Sequence, residues 1–471
     1  MSHIGEPESL ERKVTAAERF FFRSPFAIVT IVARIRGEVT SEVLNRAVQN
    51  IQQRHALLQA CIREADDHTQ WFSSQGVQPI PVEVIPRNSD QAWIEIQAKA
   101  MRIPFEFDSR PAIRFILVQS PQVSELIILC HHIICDGLSL AYLARDVMVH
   151  LGDPSRAVEV LPTPPAIDLD NLPQDVSQSS IAKYFIRRMN RKWRQDSQYF
   201  DHMDYLDLTR AYWDSYEYAF LSVELSAEET DKLVTRCRAG KTTVNSAITA
   251  AFCGAQSYVR GAEAYHPRLV VATDLRERLP HSPGEGMGMY AGGVELNFKY
   301  NHKQDFWSNA RKFNQIIQPK YTNKNMFGNI LNWLYLDPTI LDAIPFKELG
   351  GLVPPSAERY QKLSSFRSKQ DIVRKILDQD NLGSLDTTLW GTAVTNLGRL
   401  NFPSEYGQLE LDRLILQPGG GFPLANVHLV IGAVTCAGKL SLIVEHAVQT
   451  LDRDTVEKIK DQAMTFLLEE L

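Results

Sequence analysis

Short runs of apolar and β-branched residues recur along the whole chain and predict β-strands. In other segments apolar residues return at every third or fourth position, which predicts amphipathic helices. Strands are predicted at residues 26–35, 113–119, 125–130, 268–272, 427–434 and 440–445, and helices at 40–59, 226–238, 244–259 and 450–468. Because the two kinds of pattern are interspersed along the chain, the sequence predicts a mixed α/β (α+β) protein.

Two segments interrupt this pattern. Residues 162–180 are rich in Pro, Asp and Ser and predict a linker over the surface. Residues 322–370 give no regular period and are expected to be irregular. The simplest division has a first lobe at residues 1–165, a linker or crossover at 166–218 and a second lobe at 219–471.

Composition narrows the class of protein. The 471 residues are 44% apolar and 23% charged, which is typical of a globular chain that needs no disulfides to build a core. The net charge of −6 argues against nucleic acid as the main partner. The six cysteines show no CxxC spacing and are expected to be reduced and free of metal, which favours a cytoplasmic protein. No segment predicts a signal peptide or a transmembrane span.

The sharpest local motif is HHIICDG, which follows a predicted buried strand and precedes a predicted helix. It places His131 and His132 at a strand end, where the sheet fixes the backbone, with Asp136 four residues after the second histidine. Histidine is the side chain suited to proton transfer near neutral pH. The pair alone is also compatible with two buried structural imidazoles or with metal ligands. No third residue has the spacing of a zinc site, so no metal is expected.

The motif resembles the HHxxxDG signature of the CoA-dependent acyltransferase superfamily. This group includes condensation domains of nonribosomal peptide synthetases, polyketide-associated alcohol acyltransferases and alcohol O-acetyltransferases. Further segments are similar to the family's other motifs and occur in the same order: RHALLQACI, PFEFDSRPAIRFIL, TTVNSAITAAF, TDLRERL, GMGMYAGGVELNF and TNLGRLNFP. The resemblance implies two chloramphenicol-acetyltransferase-like lobes, built of mixed sheets with flanking helices, and an active-site tunnel between them.

The resemblance also implies roles for the motif residues. His132 would be the general base that takes a proton from the acceptor as it attacks an acyl thioester. His131 would be a packing residue. Asp136 would point away from the tunnel and pair with Arg276 or, as second choice, Arg278, and so hold the loop in shape.

Other residues would support the reaction. Gly137 would allow a tight turn into the helix. Thr395 and Asn396 are candidate contacts to the oxyanion or the substrate, although TNLG also reads as a simple turn. The chain has no GxSxG elbow, which agrees with direct attack on the thioester without a covalent enzyme intermediate.

The expected reaction is transfer of an acyl group from acyl-CoA or a phosphopantetheinyl carrier protein to an alcohol, in secondary metabolite or lipid biosynthesis. The thioester is a substrate, and no permanently bound cofactor is expected. Amide formation by a free-standing condensation enzyme is the alternative, and a catalytically silent binding protein is the second. Ester formation is favoured because AYWDSYEY only partly matches the YxDYA motif of peptide-synthetase domains and no carrier module is recognised. A monomer is expected.

One segment is strongly basic. Residues 181–195 carry six Lys and Arg residues without an acidic one, and their apolar residues have helical spacing. A solvated helix is the simplest interpretation. The functional interpretations are an anionic membrane surface carrying a lipid acceptor, or a docking site for an acidic donor carrier, with contacts from Arg187, Arg188 and Arg191.

Overall fold

The computed structural model describes residues 10–261, 267–369, 373, 390–419, 427 and 429–468. The strands within these residues are β1 (Glu11–Lys13), β2 (Ile28–Arg36), β3 (Cys61–Glu64), β4 (Gln70–Ser73), β5 (Val82–Pro86), β6 (Ile113–Gln119), β7 (Val123–His131), β8 (Tyr218–Glu224), β9 (Arg268–Asp274), β10 (Ala291–Asn297), β11 (Trp390–Arg399), β12 (Glu405–Tyr406), β13 (Leu409–Gln417), β14 (Leu429–Cys436) and β15 (Lys439–Ala447).

The helices fall between these strands in the chain. They are α1 (Ala16–Arg19), α2 (Ser41–Arg54), α3 (Ala92–Met101), α4 (Gly137–Gly152), α5 (Ser180–Trp193), α6 (His202–Ser215), α7 (Ala227–Ala239), α8 (Val244–Arg260), α9 (Phe306–Ile317), α10 (Asn323–Met326), α11 (Gly328–Trp333), α12 (Pro338–Leu349), α13 (Tyr360–Lys369) and α14 (Arg453–Leu468).

Two six-stranded sheets organise the molecule. The first has the order β12-β13-β2-β7-β6-β5, and the second has the order β10-β9-β11-β14-β15-β8. The strands β12 and β13 come late in the chain, so residues 405–417 complete a sheet whose other strands precede residue 132. A small third sheet has the order β1-β4-β3. The lobe boundaries at residues 165 and 218 stay a prediction.

The predicted fold class is confirmed: both large sheets are mixed and helices flank them. The predicted strand at 113–119 coincides with β6, and the other predicted strands shift by a few residues. The prediction at 427–434 includes position 428, which lies outside the described residues. The helical predictions correspond to α2, α7, α8 and α14. Residues 162–179 form neither helix nor strand.

The prediction that residues 322–370 are irregular is wrong over the described part. Residues 323–369 form α10 to α13. These helices are short, and their polar N-terminal residues look like turns in the sequence. Thr322 caps α10 by accepting from the backbone N–H of Asn325, and Asp337 caps α12 by accepting from that of Thr339. Pro338 then stands in the first turn of α12, where its missing N–H costs no hydrogen bond.

Candidate active site

The HHIICDG motif spans the junction of β7 and α4. β7 is buried and ends at His131, which lies opposite Ile28 of β2. Asp136 is the N-cap of α4, because its side chain accepts from the backbone N–H of Ser139 at 2.8 Å. The strand and the capped helix therefore hold the turn between them from both sides.

His131 is fully buried and points into the packed core. Its Nε2 donates to the carbonyl of Ser24 at 3.2 Å, and its Nδ1 accepts from the N–H of Ile133 at 3.2 Å. The rings of Phe105 and Phe107 pack edge-on against the imidazole. Burial lowers the pKa of His131 to about 3, so the ring is neutral. These contacts agree with the packing role predicted for it.

His132 is half-buried and its ring lines a cavity. Its Nδ1 lies 3.1 Å from the carbonyl of Cys135, and its Nε2 lies 3.3 Å from the carbonyl of Pro418. Burial lowers the pKa of His132 below the ordinary 6.5, while the two carbonyls and Asp136 act in the opposite direction. A neutral imidazole at this position has a nitrogen lone pair free to accept a proton at pH 7.

The cavity has a volume of about 330 Å³ and lies between elements of both sheets. Apolar side chains dominate its wall, among them Phe20, Phe21, Met326, Ile330 and Trp333. Much of this wall belongs to α11 and α12, within the segment that the sequence pattern presents as irregular. A cavity of this size and character suits an apolar substrate with a few polar groups to orient it.

Asp136 is buried and accepts four hydrogen bonds. The guanidinium of Arg276 binds it through two nitrogens, at 2.9 and 3.0 Å. The backbone N–H groups of Ser139 and Tyr290 supply the other two, at 2.8 and 2.9 Å. Burial alone raises the pKa of this carboxyl, but Arg276 and the backbone donors outweigh it and hold the pKa below the ordinary value. Asp136 thus remains ionised and joins α4 to residues 276 and 290.

Arg276 is itself buried and bridges two carboxylates. Besides Asp136 it contacts Asp274 at 2.9 Å, at the position where the family pattern has Asn. It also donates to the hydroxyl of Ser139 at 2.7 Å. Arg278, the second candidate, donates instead to Asn323 at 3.2 Å on the surface. Of the two arginines, Arg276 is therefore the one in contact with Asp136.

The reason for glycine at position 137 differs from the one expected. Gly137 is the first residue of α4 and does not have a positive φ angle. A Cβ at this position would lie 3.1 Å from Leu397 and 3.3 Å from Leu416. Close packing of the helix start on these two side chains, rather than a tight turn, is therefore what a larger residue would disturb.

Thr395 and Asn396 point to opposite faces of β11. Thr395 lines the cavity together with His132. The side-chain oxygen of Asn396 accepts from the backbone N–H of Gly398 at 2.8 Å, within β11 where its register against β14 shifts. This geometry favours Thr395 as a contact to a substrate in the cavity, and either role stays a prediction.

The basic segment forms α5, and much of it is exposed. Arg187, Arg188 and Arg191 are exposed, and no carboxylate within the described residues pairs with them. The apolar Ile181, Tyr184 and Phe185 have exposed fractions of 72%, 61% and 54%. Such exposure of large apolar side chains beside free cations is unusual for a helix that only covers a core. Ile186 and Trp193 are buried and attach the helix to the rest of the molecule.

A buried carboxyl group near the cavity was not singled out from the sequence. Glu445 on β15 accepts from the side-chain amide of Gln417 at 2.7 Å, and the backbone of Gly419 lies near its carboxyl group. Burial raises its pKa to about 7, and these two neighbours act in the opposite direction. Its sequence context, a single Glu in an apolar strand, carries no motif that marks it.

Replacing Glu445 with glutamine is expected to stabilise the protein more at pH 8 than at pH 5. The carboxyl pKa is about 7 when folded against an ordinary 4.5, so the folded protein holds the proton more tightly. The free energy of unfolding of the wild type therefore falls as pH rises from about 4.5 to 7, by up to about 3 kcal/mol. Glutamine does not titrate, and urea unfolding at the two pH values measures the difference. An equal effect of the substitution at pH 5 and pH 8 would contradict the expectation.

The residues that the structure describes form neither a metal site nor a membrane-spanning helix. Nowhere in those residues do three His, Cys, Asp or Glu side chains come together as a metal site would require. Within the same residues, no helix is both long enough and apolar enough to cross a bilayer. All six cysteines are buried, and none of them forms a disulfide.

Residues 12–272 match the family described as Condensation domain, which is more than half of the chain. The nonribosomal peptide synthetase agiA of Aspergillus flavus is 31% identical over 121 residues, which cover 24% of this chain and 2% of that protein. The nonribosomal peptide synthetase kk1B of Curvularia clavata is 22% identical over 306 residues, which cover 63% of this chain and 2% of that protein. The chain thus spans about 2% of the length of each of these synthetases.

Solved structures match over nearly the whole length. Polyketide synthase associated protein 5 from Mycobacterium tuberculosis has a TM-score of 0.59 at 14% identity, covering 98% of this chain and 99% of that one. The TRI3 trichothecene 15-O-acetyltransferase from Fusarium sporotrichioides has a TM-score of 0.59 at 12% identity, covering 99% and 97%. At these identities the likeness concerns the fold. The family match shows that this chain belongs to the condensation-domain family.

Proposed function

We propose that the protein is an acyltransferase that moves an acyl group from acyl-CoA or a carrier-protein thioester to an alcohol. The observation that carries this proposal is the setting of His132. Its ring lines an apolar cavity, its pKa is lowered by burial, and its Nδ1 lies against the carbonyl of Cys135. Both ring nitrogens face carbonyl oxygens, which only accept, and the contact at Nδ1 is the shorter one, so it favours the tautomer with hydrogen on Nδ1 and a lone pair on Nε2.

In the proposed reaction, Nε2 of His132 removes the proton of the acceptor hydroxyl while its oxygen attacks the thioester carbonyl. The tetrahedral intermediate then expels the thiolate, which receives the proton from the imidazolium. The products are an ester and a free thiol, and His132 returns to its neutral form. A thioester has a good leaving group, so positioning of two substrates and one base suffices without a covalent enzyme intermediate.

Two of the supporting residues act at a distance from this chemistry, whereas the third lines the cavity in which it takes place. Asp136 and Arg276 hold the start of α4 and thereby the turn that carries His132. Thr395 lines the same cavity and is the proposed donor to the oxyanion. We place the reaction in the cytoplasm, in secondary metabolism or lipid biosynthesis, without a permanently bound cofactor.

The choice of an alcohol acceptor is tested by product analysis. The purified chain is incubated with acyl-CoA donors of increasing length and matched panels of alcohols and primary amines, and products are identified by mass spectrometry. Esters that depend on His132 support the proposal. Amides in place of esters would replace it with the condensation-type alternative. Absence of both, with acyl-CoA and with acyl-loaded carrier proteins alike, would favour a silent binding protein.

The exposed cations of α5 are the proposed docking site for an acidic carrier protein that brings the donor. The named relatives are peptide synthetases, which makes a carrier-bound thioester a reasonable donor class. Reversing Arg187, Arg188 and Arg191 to glutamate is expected to raise KM for an acyl-carrier donor roughly tenfold or more at low salt, with kcat unchanged, because the charges act on encounter. KM for acyl-CoA, measured in parallel, should change far less.

The matched control reverses three exposed cations on and just after α7, namely Lys232, Arg238 and Lys241. It makes the same change in net charge at a different surface, so KM for the carrier-bound donor should stay near the wild-type value. An unchanged KM in the α5 variant would rule out carrier docking there. If that variant instead loses binding to phosphatidylserine vesicles, α5 faces an anionic membrane and the carrier proposal is wrong.

A further inference from the structure

Glu445 lies directly behind the part of the cavity wall that faces His132. Pro418 and Gly419 line the cavity, and Glu445 binds Gln417, the residue before Pro418, and lies near Gly419, the residue after it. Gln417 ends β13 of the first sheet, whereas Glu445 belongs to β15 of the second. The carboxyl group therefore ties the two sheets together at the point where the catalytic chemistry is proposed.

The backbone at Gly419 has little freedom. Its φ is +69°, in the region that favours glycine, and a Cβ there would lie 2.0 Å from the carbonyl of Ile28. Ile28 is the residue that lies opposite His131 across the β2–β7 pair. Gly419 therefore lies in close contact with the edge of the sheet beside the motif, and this contact limits the movement of the peptide that follows Pro418.

The carbonyl of Pro418 distinguishes between the two charge states of His132. Both ring nitrogens face carbonyl oxygens, at 3.1 and 3.3 Å, and carbonyls only accept hydrogen bonds. A neutral imidazole has one N–H and satisfies one of them, whereas the imidazolium satisfies both. The Pro418 contact therefore strengthens when His132 becomes protonated, which is when a general base needs stabilisation.

We propose that Glu445 is a positioning residue for this reaction: it binds Gln417 and lies beside Gly419, so that the Pro418 carbonyl between them stays in place to accept from protonated His132. This inference rests on the proposed function, since it gives the carbonyl a role in base catalysis. The geometry of the hydrogen bond, and not the charge of Glu445, is what positions the carbonyl.

The surroundings of Glu445 agree with this role. Its ring neighbours are Tyr212 of α6 and Tyr218 of β8, whose hydroxyls bond to each other at 2.5 Å and whose pKa values are raised by burial. Along the strands it lies opposite Val430 and Phe220. No basic side chain among the described residues pairs with it. A buried carboxyl without a cation is costly, and such groups cluster at functional sites.

The test compares three variants of the full chain. Glu445→Leu removes the hydrogen bond from Gln417 and fills the space with apolar atoms. Glu445→Gln is the conservative variant, because the side-chain oxygen of Gln417 has no partner in the structure and can accept from the introduced amide after a flip. Gln417→Leu removes the same hydrogen bond from the other side, and it replaces Glu445→Leu if that variant folds poorly.

Two readouts distinguish positioning from a purely structural role. The first is the kcat and KM of the acyl transfer: Glu445→Leu should lower kcat about tenfold with KM nearly unchanged, and Glu445→Gln should restore it. The second is the pKa of His132, followed by NMR of histidine-labelled protein without substrate and assigned with His132→Ala. It should fall in Glu445→Leu, since the Pro418 carbonyl raises it in the wild type.

The outcomes separate this inference from the proposed function. A stable Glu445→Leu or Gln417→Leu variant with an unchanged His132 pKa and unchanged kcat would overturn the positioning role. Loss of kcat in Glu445→Gln as large as in Glu445→Leu would also overturn it, because the charge would then matter more than the hydrogen bond. Turnover that survives His132→Ala would refute the general base while leaving the pKa measurement as an independent test of the positioning.

Discussion

Replacing His132 with alanine is expected to lower kcat by roughly 10²–10⁴-fold, the usual contribution of a general base. The side chain is half-buried and lines the cavity, so its removal opens space without breaking the core. KM for both substrates should change little, because the apolar wall that binds them remains. Steady-state kinetics with acyl-CoA and the best alcohol from the panel measure the effect.

The control variant is His281→Ala, which removes an exposed histidine whose backbone, and not its ring, bonds to Asn171. It should keep wild-type activity. Added imidazole should restore part of the turnover of His132→Ala, since the vacated space admits a free base. Near-normal turnover in His132→Ala, or a rescue that imidazole does not improve over buffer, would assign the base elsewhere.

The pH dependence of kcat/KM is expected to follow the protonation of His132. Burial lowers the pKa of His132 below 6.5, so the ring is neutral and competent at pH 7. The kcat/KM of the wild type should therefore be level near pH 7 and fall only as pH drops below 6.5, where the imidazole becomes protonated. A decrease in kcat/KM that begins above pH 7 would indicate that another group titrates. The residual activity of His132→Ala should lack the decrease that the wild type shows below pH 6.5.

The sequence predicts the parts of this site that are contiguous in the chain better than the contacts between residues far apart in it. The HHIICDG motif can be recognised from the sequence because the strand, the turn and the helix that position it are contiguous in the chain. The contact between Asp136 and Arg276 joins residues 140 positions apart, and it was expected only through resemblance to a family motif. Spacing within this one chain would not have selected Arg276 over Arg278.

The other contacts of the site have no local signal in the sequence. Pro418 meets His132 across 286 residues, and Gln417 meets Glu445 between two different sheets. Such contacts depend on how the sheets are packed, which hydrophobic periodicity does not encode. The helices α10 to α13 were missed for the opposite reason. Capping residues and prolines are local signals of helix ends, but the same residue types are typical of turns. In a segment of short helices they occur so often that the sequence resembles that of a loop.

Removing Arg276 is expected to destabilise the protein by about 3–5 kcal/mol. Arg276→Met leaves the carboxylate of Asp136 buried with two backbone donors and no cation. The cost arises from that uncompensated charge more than from the lost attraction. The same substitution at Arg278 is the matched control, because that side chain is exposed and donates to Asn323 instead of to a buried carboxylate. It should shift the free energy of unfolding by less than about 0.5 kcal/mol.

A second substitution separates structural support from chemistry. In the double variant Asp136→Ala/Arg276→Met no buried charge remains, so its loss of stability should be clearly smaller than the sum of the two single losses. Urea unfolding of the four proteins gives the coupling energy. The three variants should lose activity through disorder of the turn that carries His132, and kcat per folded molecule should recover in part in the double variant. A double variant as stable as the wild type but fully inactive would instead give Asp136 a direct part in the reaction, since the loss could no longer be assigned to the fold.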